Sequence, residues 1–217
     1  METTAEAQSP VINFVYCFKA FSEEAEQWKA MMVDSVKTIY PTASIYHVDL
    51  NCDQAHSMVY RAGAYAQMRR KLRGPMVCLD TDIVAMRPAP LDALFTKEWD
   101  IALVKGGDYV LMPWCGGFFM AQDNEKAQAW FDETFRAANS LPEGMVTNSW
   151  WVDQLAMSWA AEHIDGLRVM ELPQNLFNFV PEKAQSTMAY FVHLKGPRKH
   201  LMRQYYNGVK KTDYTGF

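Results

Sequence analysis

The stretch Met76-Val77-Cys78-Leu79-Asp80-Thr81-Asp82 joins four consecutive apolar residues directly to a pair of carboxylates. A short, wholly apolar run is typical of a strand buried on both faces, as in the middle of a parallel sheet. Side chains at positions i and i+2 of an extended chain lie on the same side, so Asp80 and Asp82 are expected to face one point. Ligands of open α/β sheets bind beyond the carboxyl ends of the strands, which is where this pair stands.

The segments before this stretch alternate between strand and helix. Strand-like runs occupy residues 11–17 and 44–48. A helical pattern begins at Ser22, a predicted N-cap followed by two acids, and stops at Pro41; a second covers residues 54–72. The order strand–helix–strand–helix–strand predicts an open α/β sheet flanked by helices.

The rest of the chain predicts a mixture of elements within the same domain. Strands are expected at 99–104 and 117–121, helices at 124–138 and 149–163, and short strands at 168–171 and 189–194, before a basic tail. No repeat or linker divides the sequence. We therefore predict one α/β domain over residues 11–217, with a mainly parallel sheet, preceded by a flexible segment at residues 1–10.

Composition excludes several classes of protein. The 217 residues are 49% apolar and 13% aromatic, which excludes a disordered chain, and the net charge of -4 gives no general attraction to nucleic acid or anionic membrane. No apolar run approaches the roughly 20 residues that cross a bilayer, and the polar start is not a signal peptide. Four dispersed cysteines exclude a dense disulfide framework. We expect a soluble, cytoplasmic protein with no nucleic-acid partner.

The two carboxylates predict a metal site. Two adjacent acids repel each other unless a cation lies between them. Hard oxygen ligands suit Mg²⁺ or Mn²⁺, which also bind phosphate oxygens and stabilise a diphosphate as a leaving group. A polar turn that merely ends the strand is the alternative interpretation of Asp80 and Asp82.

A second polar element follows the last strand-like run, at His193-Leu194-Lys195-Gly196-Pro197-Arg198-Lys199. A neutral imidazole that joins the two acids favours Mn²⁺ over Mg²⁺. Gly196 lets the backbone approach a phosphate, and Lys199 supplies a positive charge to it. The alternative is a surface loop whose cations are solvated.

In their order along the chain, these segments resemble the GT-A fold glycosyltransferases, and most closely the glycogenin-like family 8 with its DxD motif. The matching segments are Leu79 to Val84, Leu91–Phe95, residues 115–120, Asp153-Gln154, Leu172-Pro173 with Asn175 or Asn178, and His193, Gly196 and Lys199 in the spacing His-x-x-Gly-x-x-Lys. The resemblance covers about residues 60 to 199.

The resemblance implies a GT-A (Rossmann-like) fold and a sugar transferase with retention of configuration. Its donor is a nucleoside-diphosphate sugar of the UDP type, and its acceptor is a glycan, a protein or another small molecule. The implied ligands of Mn²⁺ (or Mg²⁺) are Asp80, Asp82 and His193. The implied donor-binding residues are Arg61, Asp80, Thr81, Asp82, Gly196 and Lys199, with a solvated helix arginine as the alternative for Arg61. The implied catalytic pair is Asp153 and Gln154.

Three departures from the family concern the sugar and the base rather than the metal. Cys115-Gly116-Gly117 stands where the family has Asn-Ser-Gly, and His200-Leu201 follows the lysine in place of Pro-Trp. The acid expected after the first strand is missing from Tyr16-Cys17-Phe18-Lys19.

Several aromatic and basic residues have simpler interpretations. Trp151, Leu155 and Trp159 share one helical face, which is typical of a core stripe, whereas Trp150 points elsewhere and is a candidate platform for an acceptor sugar. His56 is expected to be structural, as are His47 and His163. The basic tail is expected to be mostly a solvated face.

Two other functions remain open. Leu79 to Val84 also fits the opening motif of haloacid-dehalogenase-like phosphohydrolases, although that motif belongs on the first strand, and Gly107-Asp108 has no second acid at the expected spacing. The replaced Asn-Ser-Gly favours a catalytically silent module that binds a nucleotide sugar or glycan.

Overall fold

A computed structural model describes residues 11–106, 111–147 and 149–212. The segment predicted to be flexible, residues 1–10, lies outside these ranges, as do Gly107-Asp108 and Asn148. No helix in the described ranges is both long and apolar enough to span a membrane.

The first half of the chain folds as the sequence predicts. Its elements are β1 (Asn13–Phe18), α1 (Glu23–Ile39), β2 (Ser44–Asp49), α2 (Ser57–Lys71) and β3 (Met76–Leu79). Ser22 caps α1, because its hydroxyl accepts a hydrogen bond of 3.1 Å from the Ala25 amide. Acids in the first turn complement the helix dipole.

The second half contains more elements than the sequence predicts. They are β4 (Ile83–Ala85), α3 (Leu91–Phe95), β5 (Ile101–Lys105), β6 (Trp114–Ala121), α4 (Glu125–Asn139), α5 (Glu143–Val146), α6 (Val152–His163), β7 (Val169–Leu172), α7 (Gln174–Phe177), β8 (Phe191–His193), a 3-10 helix (Gly196–Leu201) and α8 (Met202–Lys211). The basic tail forms the 3-10 helix and α8. Met202, Tyr205 and Val209 of α8 are buried, and α8 packs against α1.

The main sheet has six strands in the order β2-β1-β3-β6-β5-β7. Three neighbouring pairs are parallel (β2-β1, β1-β3 and β5-β7), so the predicted mixed, mainly parallel sheet is confirmed. β3 is central, as its apolar run predicts, but its neighbour β6 runs antiparallel to it. Both orientations bury an all-apolar strand equally well, and the apolar run therefore did not reveal this.

A second sheet of two antiparallel strands brings distant parts of the chain together. β4 pairs with β8 so that Ile83 lies opposite His193, and the Leu194 amide donates a 2.9 Å hydrogen bond to the Asp82 carbonyl. Since β4 follows Asp82 directly, this pairing places the histidine beside the two acids.

Helices cover both faces of the main sheet. Alternate residues of β1 enter two different apolar clusters: Phe14, Tyr16 and Phe18 pack on the side of α1 and α8, and Val15 and Cys17 on the side of α2, α4 and α6. Because helices cover both faces, the sheet is accessible at the carboxyl ends of β1 and β3 and not on its faces.

Candidate metal and donor site

The two acids lie in the short link between β3 and β4. The Asp80 amide donates a 2.8 Å hydrogen bond to the carbonyl of Gly117 on β6, and the Ile83 amide donates to the Asp80 carbonyl at 3.3 Å. These bonds fix the backbone on both sides of Asp82, whose side chain is almost fully buried. These backbone bonds fix the link at the carboxyl end of β3, which is the edge of the sheet where the sequence predicts the two acids.

Asp80, Asp82 and His193 converge at one point. One ligand atom from each lies within 4.8 Å of the other two. The His193 Nε2 atom is 3.1 Å from Asp82 Oδ1 and 3.6 Å from Asp80 Oδ2. Two carboxylate oxygens and an imidazole nitrogen form a donor set that fits Mn²⁺, and less closely Mg²⁺.

Each carboxylate turns its second oxygen toward a cationic side chain. Asp80 Oδ1 is paired with Arg61, and Asp82 Oδ2 lies 3.3 Å from Lys199 Nζ. Burial raises the pKa of Asp80, and the charge of Asp82 adds to this against the opposing effect of Arg61. Burial acts in the same direction on Asp82, but His193 and Lys199 together hold the pKa of that carboxyl below its usual range.

Arg61 of α2 joins the metal acids to the predicted catalytic pair. Its guanidinium is paired with both Asp80 and Asp153, and only 8% of the residue is exposed. Burial lowers the pKa of Arg61, but the two carboxylates together hold it above its ordinary value. The alternative of a solvated helix arginine is therefore wrong.

Asp153 and Gln154 lie in the first turn of α6, close to the metal acids but behind Arg61. Asp153 is buried, and a Cβ atom added at Gly116 would come within 3.1 Å of Gln154 Cγ and 3.4 Å of Asp153 Oδ2. The glycine therefore lets α6 approach β6. Neither Asp153 nor Gln154 is among the described residues that line the cleft.

Lys199 belongs to the 3-10 helix that follows β8. Its ammonium group lies 4.5 Å from the centre of the Trp28 ring, a cation–π contact that holds it over the cleft beside Asp82. Gly196, at the start of this helix, has φ = 62°, a backbone conformation that favours glycine. The loop is therefore shaped to present Lys199, and its cation is not merely solvated.

The acids open into a cleft of about 500 Å³ at the carboxyl ends of β1 and β3. Its lining includes the predicted residues Arg61, Asp80, Thr81, Asp82, Trp150 and Lys199. It also includes residues without a predicted role in a site, among them Phe18, Lys19, Phe21, Trp28, Gln54, Ser57 and Met58. Most of these additional lining residues follow the carboxyl ends of β1 and β2. Their place after a predicted strand is the only feature of the sequence that indicates a role in ligand binding.

Two tryptophans near α6, Trp150 and Trp159, are both exposed, whereas the sequence predicts that Trp159 is buried. Trp150 is 64% exposed and lines the cleft, as a candidate acceptor platform should. Trp159 is 46% exposed, so the prediction of a core stripe that includes it is wrong. Its indole donates a 3.0 Å hydrogen bond to Glu133 and stacks on His163, which stabilises the ring at the surface.

His56 connects two segments at the mouth of the cleft. Its Nδ1 atom is 2.7 Å from Asp53 Oδ1, and its Nε2 atom is 2.9 Å from Glu143 Oε1. Because carboxylates only accept, both contacts are hydrogen bonds when the ring is protonated, and they raise the pKa of His56. The histidine is structural, as the sequence predicts.

Comparison with known proteins supports the fold. No family model matches the chain, and neither does any curated protein. It is similar to the crystal structure of a glycosyltransferase involved in the glycosylation of the major capsid of PBCV-1, with 14% identity and a TM-score of 0.66, over 90% of this chain and 100% of that one. It is also similar to the apo-form glycosyltransferase GlyE of Streptococcus pneumoniae TIGR4, with 12% identity and a TM-score of 0.59, over 94% of this chain and 63% of that one. The chain therefore has the fold of known glycosyltransferases.

Proposed function

We propose that the protein is a metal-dependent glycosyltransferase of the GT-A type, resembling family 8, that transfers a sugar from a UDP-sugar to an acceptor with retention of configuration. The observation that carries the proposal is the meeting of Asp80, Asp82 and His193 beside a cleft of about 500 Å³, with Lys199 on the outer oxygen of Asp82. That volume is in the range of small-molecule ligand sites. The fold shared with two glycosyltransferases supports it.

In this proposal Asp80, Asp82 and His193 hold Mn²⁺ or Mg²⁺, which neutralises charge on the donor diphosphate. Lys199 donates hydrogen bonds to the departing diphosphate and stabilises its growing negative charge. Thr81 and the backbone at Gly196 contribute further donor contacts. Arg61 holds Asp80 in place through an ion pair, and the same guanidinium pairs with Asp153.

Asp153 and Gln154 act on the sugar in the same proposal. They lie in the first turn of α6 behind Arg61, outside the described cleft lining, and the proposal assigns them the stabilisation of the cationic sugar as the diphosphate leaves. Trp150, at the exposed rim, stacks on the acceptor. A cytoplasmic location and a single domain over residues 11–217 belong to the proposal as well; the four cysteines, all free and buried, fit a reducing compartment.

A binding module without activity is the second candidate, and one observation favours it. Asp153 and Gln154 stand outside the described lining of the cleft, and Gly116 provides no polar side chain next to them. Such a module would bind nucleotide sugars in the same cleft and release no nucleotide.

Incubation with Mn²⁺ and a panel of nucleotide sugars, with released nucleotide measured, tests the proposal. We expect release from at least one donor, its loss after metal removal with EDTA, and no release by Asp82→Asn, which keeps the volume of the side chain and loses its charge. Full turnover without metal would contradict the proposal. Mn²⁺-dependent donor binding without release would favour the silent module, and release of phosphate from monoesters would favour a phosphohydrolase.

A further inference from the structure

His193 has a second contact, on the side of its ring away from the acids. Its Nδ1 atom lies 2.9 Å from Oδ1 of Asn178, and both side chains are buried. A carbonyl oxygen only accepts hydrogen bonds, so the proton of this pair belongs to Nδ1. The Nε2 atom faces the Asp82 carboxylate at 3.1 Å, and since Nδ1 holds its proton for Asn178, Nε2 is the nitrogen that can exchange a proton for a cation.

The backbone holds the two residues in this relation. Phe179, which follows Asn178, forms a parallel bridge to Val192, and the His193 amide donates a 2.8 Å hydrogen bond to the Phe179 carbonyl. The chain next to Asn178 is thus bound to β8 itself. Any displacement of Asn178 relative to His193 would break these backbone hydrogen bonds.

Strand β6 of the main sheet has a glycine, Gly117, where it faces His193 and Asn178. A Cβ atom added at Gly117 would lie 2.3 Å from His193 Cε1, 2.5 Å from its Nδ1 and 3.3 Å from Asn178 Oδ1. Real Cβ contacts do not approach 2.3 Å. Gly117 therefore permits the close seat of the imidazole and its amide partner against β6.

The donor end of the Asn178 amide is turned away from the imidazole. Its Nδ2 group is buried and makes no hydrogen bond in the described part of the chain. The hydrogen bond between Asn178 and His193 is therefore made by the amide oxygen alone.

We propose that Asn178 is a positioning residue that keeps the proton of His193 on Nδ1 and so presents Nε2 to the metal. This inference rests on the proposed function, since it requires the metal site. Outer partners of metal-bound histidines fix the ring and its tautomer, and their loss typically weakens metal binding about 10- to 100-fold. Asn178, the residue directly after α7, therefore serves the site, and Asn175 within α7 does not.

Two measurements on the purified protein test this role. The first is Mn²⁺ affinity, by electron paramagnetic resonance, of the wild type, Asn178→Ala, Asn178→Asp and the exposed control Asn175→Ala. We expect about 10- to 100-fold weaker binding for Asn178→Ala, no change for Asn175→Ala, and binding close to wild type for Asn178→Asp, which keeps an acceptor.

The second is the position of the proton on the His193 ring, by long-range ¹⁵N–¹H NMR of the protein saturated with diamagnetic Mg²⁺, because in the metal-free protein the Asp82 carboxylate, 3.1 Å from Nε2, also attracts a proton. We expect Nδ1–H in the wild type and a shift toward Nε2–H in Asn178→Ala. Nε2–H in the wild type would overturn the inference even where Asn178→Ala fails to fold, and so would unchanged Mn²⁺ affinity in a folded Asn178→Ala. A wild type that binds no Mn²⁺ while carrying Nδ1–H would instead overturn the metal site, and with it both proposals.

Discussion

Gly117 shows how the lack of a side chain positions a functional residue. Cys115-Gly116-Gly117 stands where the family that the sequence resembles has Asn-Ser-Gly. The last glycine, Gly117, is common to both, and His193 lies against it. Any side chain at this position would occupy the space of the imidazole. Of the two replaced residues, Gly116 adjoins Asp153 and Gln154 of α6.

Gly117→Ala is therefore expected to displace His193. Mn²⁺ affinity should fall by at least about tenfold, since a ligand and its amide partner both lose their seat. The free energy of unfolding should fall by about 1–3 kcal/mol, the usual effect of overpacking. Calorimetric Mn²⁺ titration and denaturant unfolding measure the two effects.

Gly208→Ala is the matched control, because an added Cβ at that position of α8 meets no atom within 4 Å. It should leave Mn²⁺ affinity unchanged and raise the free energy of unfolding by up to about 1 kcal/mol through helix propensity. Equal Mn²⁺ binding by Gly117→Ala and wild type would show that His193 is not a ligand.

Loss of the Lys199 charge is expected to change the kinetics of sugar transfer and to have little effect on the stability of the fold. Lys199→Ala is expected to raise the KM for the donor and lower kcat by about 10²–10³-fold, because a donor to the leaving diphosphate is removed. Lys199→Arg should restore activity only in part, since a planar guanidinium differs in shape from an ammonium. Steady-state kinetics with the preferred donor measure these changes.

Lys210→Ala is the control for Lys199, since Lys210 lies on α8, pairs with Asp34 at 2.5 Å and is remote from the acids. Its kinetics should match those of the wild type. Should Lys199→Ala also match the wild type, the 3-10 helix would have no part in donor binding.

At the scale of elements, the small β4–β8 sheet assembles the site. β4 is three residues long and begins directly after Asp82, and β8 ends at His193. Residues more than 100 positions apart in the sequence thereby face each other across one pair of strands. The 3-10 helix leaves β8 on the same side, which brings Lys199 to Asp82.

The loop before α2 and the helix α5 are joined by His56, and this link should depend on pH. The folded pKa of His56 is raised by Glu143 and Asp53, so its stabilising effect is complete below the unfolded pKa of about 6.5 and is lost as the pH rises through the folded value. The pKa values of Asp53 and Glu143 are lowered by His56, so their contribution is lost as the pH falls.

An NMR titration of His56 is expected to give a pKa above about 6.5, and Glu143→Gln should lower it. Glu125→Gln, at the start of α4, is the control and should not change it. A His56 pKa that is the same in wild type and Glu143→Gln would mean that the two segments are not joined in solution.

At the scale of the whole molecule, local patterns were sufficient for the elements from β1 to β3. The Ser22 cap, the stop before Pro41 and the apolar run at Met76–Leu79 depend on short stretches of chain, and the structure confirms them. The antiparallel direction of β6 was not predictable in this way, because it depends on the path of the chain between β5 and β6. The packing of α8 on α1 and the exposure of Trp159 also depend on contacts distant in sequence.

The site was predictable to a similar degree. The spacing of Asp80 and Asp82 indicates a shared ligand from strand geometry alone, whereas His193 and Lys199 joined them through family resemblance. Trp28 carries no sequence signal for a site, yet its ring lies 4.5 Å from the Lys199 ammonium group at the cleft. Asn178 could not be separated from Asn175 by sequence, because the pairing of Phe179 with Val192, which brings Asn178 to the imidazole, joins segments distant in the chain.

The most direct test of the central claim is the anomalous scattering of manganese in crystals soaked with Mn²⁺ and UDP. The proposal rests on a divalent ion held by Asp80, Asp82 and His193 at the inner wall of the cleft. We expect one strong anomalous peak in contact with these three side chains, with the diphosphate between the peak and Lys199. A nucleotide bound in the cleft with no manganese at these residues, or manganese bound only elsewhere, would contradict the claim.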